Sequence, residues 1–492
     1  MQTSTDGLKE TAGALVTLER TTDARVAEIT KDEKSSIRQW VKYANPTVVV
    51  WTVWLGLTIC LFSFLHRYSV NFPFMDEFEI VPALTGDQPI TWRWLWSQHN
   101  EHRILLARLL YLFVTKITNY DFRAGAYLNV ATLSASAAAM IMVAKRLRGG
   151  ATRYSDAFFP LLILHWGQAE NVFLSFHIVW LITSALATTV LLLIVQPGAL
   201  TFRQSIVLAS CTILLALGGG PGLAFVPASA LCVLLVGWQS FKERGRLGQS
   251  LCVWLIGAVG VLLTGFYFVD YVPLTRIPRS SSSLMTMVGT VQFLLTGLGT
   301  IVRMFWVYLQ LVLYVSLAFL AVGMWRTWKS RPDERYLLVR LLFFFAGIGT
   351  LAVGVARVRA AFFPGAMFSS RYVTEAALFW VASYLAWELI DWPALRSKAQ
   401  VALCLLAALL FLPNAKAGLT IAGLQYWPRL AAAADIRAGV PLDEIVRRYS
   451  TKIYYSKDNS ISAEMPAGPE TLRARMEMLK RSQIGLFRDL KE

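Results

Sequence analysis

Three carboxylates stand close together in the stretch NFPFMDEFEIVPAL, residues 71–84: Asp76, Glu77 and Glu79. A carboxylate beside a bound hydroxyl can serve as a general base, and a pair can ligate a divalent metal. The plainer alternative is a solvated acidic loop, or favourable charge at a helix N-terminus. Phe72, Pro73, Phe74, Met75, Phe78 and Pro82 flank the acids and favour a fixed position. Soon after comes QHNEHR, residues 98–103, with two of the chain's five histidines. Read as a helix, it puts His99 and His102 on one face, with Glu101 and Arg103 beside them. Such a group suits a metal pair completed by Glu101, a cationic contact for a phosphate, or imidazoles at a surface. Without a clear third ligand, hydrogen bonding to phosphate or sugar is the preferred chemistry. HWGQAENVFLSFH places Glu170 and Asn171 between two apolar runs, as a polar cap or part of a sugar pocket. RVRAAFFPGAMFSSRYVTEAALFW holds Arg357, Arg359, Arg371 and Tyr372. Arginine binds phosphate bidentately and keeps its charge, although one or two of these would equally suit lipid headgroups. Arg371, with Ser369 and Ser370, is the preferred phosphate ligand, and Arg276 and Arg279 are secondary candidates.

These residues are set among apolar segments. The chain has 492 residues, 55% of them hydrophobic and 16% charged, with a mean hydropathy of +0.49. Soluble domains carry about 25% charged residues. Apolar runs fall near 47–65, 123–144, 155–167, 173–195, 204–219, 221–238, 250–270, 304–325, 336–355, 372–391 and 398–413. Most match the ~20 residues that a spanning helix needs. The expected fold is therefore an all-α polytopic membrane protein with about eleven transmembrane helices. The run 286–302 reads as re-entrant or interfacial. Residues 1–46 read as a partly disordered N-terminal segment, 47–413 as the membrane domain, and 414–492 as a small C-terminal extension.

The net charge of +16 does not imply nucleic acid, because no basic recognition motif is present. The charge concentrates instead in loops at 144–153, 241–246, 326–335 and 396–398. By the bias of basic loops toward the cytoplasm, these four lie with the N-terminus inside. The long loop 66–122, the other candidates and the C-terminus then lie outside, in a cell inner membrane. The loop should contain two surface-lying helices, the second over about 91–117, with Trp92, Trp94 and Trp96 at headgroup level. GGGPG (218–222) reads as a tight turn lacking any nucleotide-loop spacing. In the tail, TKIYYS suggests a strand and GPETLRARMEMLKRSQIGLF a helix. The five cysteines fall in apolar segments without metal spacing.

Taken together, MDEF, QHNEHR, QAENVFLSFHIVW and SSRYVTEAALFW resemble the GT-C superfamily of integral-membrane glycosyltransferases. The likeness covers about residues 45–415. It is similar in particular to bacterial members of the polyprenyl-phosphate-sugar-dependent type. The resemblance implies a periplasmic active site in which Asp76 is the catalytic base and Glu77 helps place acceptor or metal. It implies a polyprenyl-phosphate-linked sugar as donor, a glycan, lipid or protein as acceptor, and inversion at the anomeric carbon. His99, Glu101, His102, Arg103, Glu170, Asn171, Arg357, Arg359, Arg371 and Tyr372 are then the substrate-binding candidates. Some relatives use a divalent metal and others do not, so no cofactor is fixed. A polytopic transporter or lipid-linked-sugar flippase is the alternative, and it predicts flux without a covalent product.

Overall fold

The structure is a computed structural model that describes residues 45–273, 282–359, 366–454 and 468–489. Arg276 and Arg279, and nearly all of the N-terminal segment 1–46, lie outside the described residues. The chain divides into two units, Met1–Thr52 and Val53–Glu492. Helix α1, Pro46–Tyr68, begins in the first unit and continues into the second, and every other described element belongs to the second.

The loop after α1 holds a 3-10 turn Met75–Ile80, then α2 Val81–Thr85 and α3 Trp92–Trp96. A two-stranded hairpin comes next, β1 Gln98–His99 and β2 His102–Arg103, then α4 Leu105–Ile117. After it lie α5 Ala124–Leu147, α6 Phe158–Ile163, α7 Ala169–Phe173, α8 Ile178–Ile194 and α9 Phe202–Leu217. The bundle continues with α10 Gly220–Arg244, α11 Leu247–Tyr267, α12 Ser283–Thr296, α13 Trp306–Ser330 and α14 Arg335–Arg359. It closes with α15 Val373–Leu389, α16 Pro393–Arg437, α17 Leu442–Ile453 and α18 Pro469–Arg481.

The molecule is an all-α polytopic protein. Among the described residues, eight helical segments are long and apolar enough to cross a membrane, and α9 and α12 are shorter apolar helices. Expected segment 155–167 is not one helix. It is a 3-10 turn Tyr154–Ala157, then α6, then a second turn Trp166–Gln168. Phe158, Phe159 and Leu162 are buried in protein, which is where a broken helix is tolerated at membrane depth. α15 has sixteen buried residues and no polar face, as expected for a helix enclosed on every side.

Two ends of the bundle are defined by α5, whose 24 residues extend ~36 Å against a ~30 Å hydrocarbon core. At its C-terminal end, Arg148 pairs with Asp156 and Glu388, and Arg153 Nη1 donates to Gln400 Oε1 at 2.9 Å. Arg331 pairs with Asp391 at 3.0 Å. Loops 144–153 and 326–335 thus both bond to the α15–α16 connection, beside 396–398. At the N-terminal end, Ser175 Oγ accepts from the Ala126 amide at 3.0 Å, in the neighbourhood of the acidic loop.

Two readings are corrected in the tail. α16 runs unbroken through 414 to Arg437, so 413 is not a boundary in secondary structure. Asn414 is buried, donating to Leu298 O at 2.8 Å and accepting from the Ile301 amide at 3.2 Å. Residues 451–453 of TKIYYS end α17 as helix, and Tyr454 is extended. The expected helix in the last segment is present as α18. α17 and α18 share one apolar core with the first loop, where Ile453, Tyr454, Leu472 and Met476 meet Phe72, Phe78, Ile80 and Val81.

Candidate active site

The backbone turns sharply just before the first acid. Met75 has φ 51°, a left-handed conformation that a side chain with a Cβ disfavours. Such strain persists only where its surroundings impose it. Here Glu77 imposes it. Its carboxylate accepts from the Phe74 amide at 3.0 Å and the Ser175 amide at 2.7 Å, locking the 3-10 turn onto the start of the α8 segment. Glu77 is 2% exposed. Burial raises its pKa to about 7, against the pull of Arg429 and of the amides it accepts from. Its carboxylate is spent on the backbone, which corrects the expectation that Glu77 handles acceptor or metal.

Asp76, by contrast, lines a cavity of about 280 Å³. Met75, Glu170, Phe176, His177 and Arg371 line it too, together with Leu424 and Gln425 from α16 and Lys452 from α17. Glu170 organises one wall. Its Oε2 accepts from the Arg371 amide at 2.9 Å and from the hydroxyls of Ser369 at 2.8 Å and Ser370 at 2.6 Å. Its Oε1 meets Arg371 Nη2 at 3.3 Å. Burial would push this carboxyl up, but Arg371, His177 and the two serines outweigh it and hold its pKa at about 2. Glu170 is therefore ionised and fixes the Arg371 guanidinium at the cavity. Asn171 lies behind the wall and is fully buried. Its amide donates to Thr374 Oγ1 at 2.9 Å and Arg371 O at 3.2 Å, and its Oδ1 meets His177 Nδ1 at 3.0 Å. It positions His177 and Arg371 instead of meeting a ligand.

The QHNEHR segment departs from the helical reading. His99 and His102 are paired across an antiparallel hairpin, not stacked on a helix. Asn100 takes the left-handed conformation, φ 50°, that the turn needs and that asparagine tolerates well. His99 is 4% exposed, with Nε2 3.9 Å from Asp76 Oδ1. Burial lowers its pKa to about 4, so it faces Asp76 as a neutral imidazole. His102 lines a second cavity of about 160 Å³, shared with Glu101, Trp180, Pro221, Arg359 and Tyr372. There Glu101 pairs with Arg359 and stands 3.8 Å from His102 Nε2. Burial keeps His102 below the ordinary imidazole range.

Arg103 is also corrected. It is buried under the hairpin, donating to Tyr267 O and Trp96 O at 2.9 Å each and Val269 O at 2.6 Å. It satisfies carbonyls at the C-terminal end of α11 and has no place in either cavity. Arg357 lies on the opposite side of α14, at a third crevice of about 840 Å³ lined by Met287, Val291, Trp306 and Tyr314.

Several contributors escaped sequence reasoning. Lys452 lies in the stretch read as a strand, and Gln425 in the segment read as a separate extension. Gly220, read as part of a simple turn, gives room to His102. A Cβ there would lie 2.5 Å from His102 Nδ1. His177 carried a weak signal, as a histidine flanking the Glu170 turn. Among the described residues no group of three His, Cys, Asp or Glu has the geometry to hold a metal ion. Asp76 and His99 alone do not make such a site. No protein-family model, curated protein or solved structure matches the chain.

Proposed function

We propose that this chain is a multi-pass membrane glycosyltransferase, with a GT-C-like arrangement of about eleven membrane segments. It moves a sugar from a polyprenyl-phosphate donor to an envelope glycan, lipid or protein. The reaction takes place at the end of the bundle that carries Asp76, taken as the periplasmic face of an inner membrane. The observation that carries this reading is the cavity itself. It joins the carboxylate of Asp76 to two cationic side chains from distant parts of the chain, Arg371, which is paired with Glu170, and Lys452.

In this reading Asp76 takes the proton from the acceptor hydroxyl. The oxygen attacks the anomeric carbon, the bond from that carbon to the phosphate oxygen breaks, and configuration inverts. The departing lipid phosphate gains charge, which Arg371, held in place by Glu170, and the exposed Lys452 stabilise. Glu170 orients Arg371, Glu77 holds the turn that presents Asp76, and His99 backs the carboxylate without adding charge. The crevice beside Arg357 offers a lateral approach for the lipid, and Glu101, His102, Arg359 and Tyr372 line a neighbouring space for the sugar or acceptor.

The test is sugar transfer by purified protein in liposomes, using a panel of synthetic polyprenyl-phosphate sugars. Asp76→Asn is expected to lower transfer by about 10²–10⁴-fold, the usual contribution of a positioned base. Transfer at the wild-type rate in Asp76→Asn would overturn the assignment. Flux of the lipid-linked sugar with no covalent product would favour the flippase reading instead.

A further inference from the structure

A fourth cavity lies at the other end of the bundle, remote from Asp76. It is a groove of about 360 Å³ between α13, α15 and α16. Its walls are apolar, with Phe319, Leu320, Trp387 and Leu406 among them, and Lys398 stands at one end. Only Ser316, Ser383 and Lys398 among its lining residues are polar. Along α16 the lining runs from Leu395 to Leu406, which is ~16 Å of helix. Half of a ~30 Å hydrocarbon core is about the same length. The groove therefore reaches from the bundle's basic end to near mid-depth, the thickness of one leaflet.

The rim is built for a headgroup. Arg326 lies over the Trp392 ring at 4.7 Å, and Lys329 over Trp325 at 4.8 Å. Tryptophan and basic residues together mark the boundary between hydrocarbon and headgroups. The nearby acids already have partners: Glu388 bonds to Arg148 and Gln400, Asp391 to Ser330 and Arg331. The local balance at the mouth is thus positive. A sugar would find few hydrogen-bond partners on these walls, and a peptide would bury unpaired backbone groups.

We infer that this groove binds an anionic phospholipid from the leaflet on the basic-loop side, one acyl chain between α13 and α16 and its phosphate at Lys398. This site does not depend on the proposed glycosyl transfer. The test is native mass spectrometry of the full chain purified into nanodiscs of equal phosphatidylglycerol and phosphatidylcholine. Retained phosphatidylglycerol is expected to exceed phosphatidylcholine. Lys398→Gln should reduce that excess about fivefold, as for one basic residue near a charged surface. Ala402→Trp, which fills the groove, should abolish the retained lipid. Leu412→Trp, on the same helix but 76% exposed and outside the groove, should leave retention unchanged. Thermal unfolding of each variant separates lost binding from lost fold. Equal retention of the two lipids by the wild type would overturn the inference. So would undiminished retention in a folded Ala402→Trp protein.

Discussion

Asp76 and Glu77 are adjacent and chemically alike, yet the fold gives them different work. In the 3-10 turn Met75–Ile80 successive side chains point ~120° apart, so one lines the cavity and the next receives two backbone amides. This has a measurable consequence for Glu77. Its folded pKa, about 7, lies above the ordinary glutamate value of 4.5 because burial disfavours the charge. The folded state therefore holds the proton more tightly than the unfolded chain. That stability is fully present below pH 4.5 and is lost as pH rises through 7, by on the order of 3 kcal/mol. In Glu77→Gln this dependence disappears. The stability of wild type relative to the variant should fall between pH 4.5 and 7, read from thermal unfolding in detergent at stepped pH. A constant difference across that window would show that Glu77 is not the buried proton-binding group described. Gln also lacks the second acceptor oxygen, so one amide goes unpaired and the variant carries a further cost of about 1–3 kcal/mol at all pH values.

At the scale of elements, the hairpin 98–103 decides how the histidines are used. A spacing of three puts two side chains on one face of a helix, but in this hairpin it makes them cross-strand partners with a turn between. Nothing in the hexapeptide selects between the two by period. What selects is the anchoring on either side. Arg103 holds Tyr267, Val269 and Trp96 carbonyls, and Gly220 admits the His102 ring. Gly220 is therefore expected to be sensitive. Gly220→Ala should cost about 1–3 kcal/mol by overpacking and should impair transfer along with stability. Gly248→Ala, where nothing lies within 4 Å of the new methyl, should be neutral or slightly stabilising, by up to about 1 kcal/mol. Equal unfolding temperatures for the two variants would contradict the packing described. The all-α character, most apolar helices and the 105–117 part of the helix expected over 91–117 were legible in advance, because hydrophobic runs of that length have few alternatives. The broken segment Tyr154–Phe173 was legible only as a short run, since its breaks depend on contacts such as Gly167 against Asn414.

At the scale of the whole molecule, the C-terminal tail is part of the candidate site. α16 leaves the membrane-like segment without a break, and α17 packs into the apolar core of the first loop. Tyr454 bonds to Glu79, and Arg475 approaches it at 3.7 Å. These contacts carry Lys452 to the rim of the cavity that holds Asp76. Lys452 is exposed, so Lys452→Gln should keep the wild-type unfolding temperature while slowing transfer about tenfold, roughly 1.4 kcal/mol of lost charge stabilisation. Deleting 442–492 should instead lower both stability and transfer, because it opens the shared core. A Lys452→Gln protein that transfers sugar as fast as wild type would remove the lysine from the proposed mechanism and leave the tail a packing role.

The sequence by itself determined that this is a helical, multi-pass membrane protein with acids, histidines and arginines concentrated in a few segments between its apolar runs. Those properties follow from local composition, since burying long apolar runs in a bilayer leaves the backbone little choice but helix. Only the tertiary structure decided which candidates share a cavity. It brought Asp76, Glu170, Arg371 and Lys452 together, turned Glu77 and Arg103 to the backbone, and placed His102 in a neighbouring space. The physical reason is that a side chain's role depends on what it faces. For these residues that is set by partners far along the chain, through hydrogen bonds and packing that no local spacing encodes.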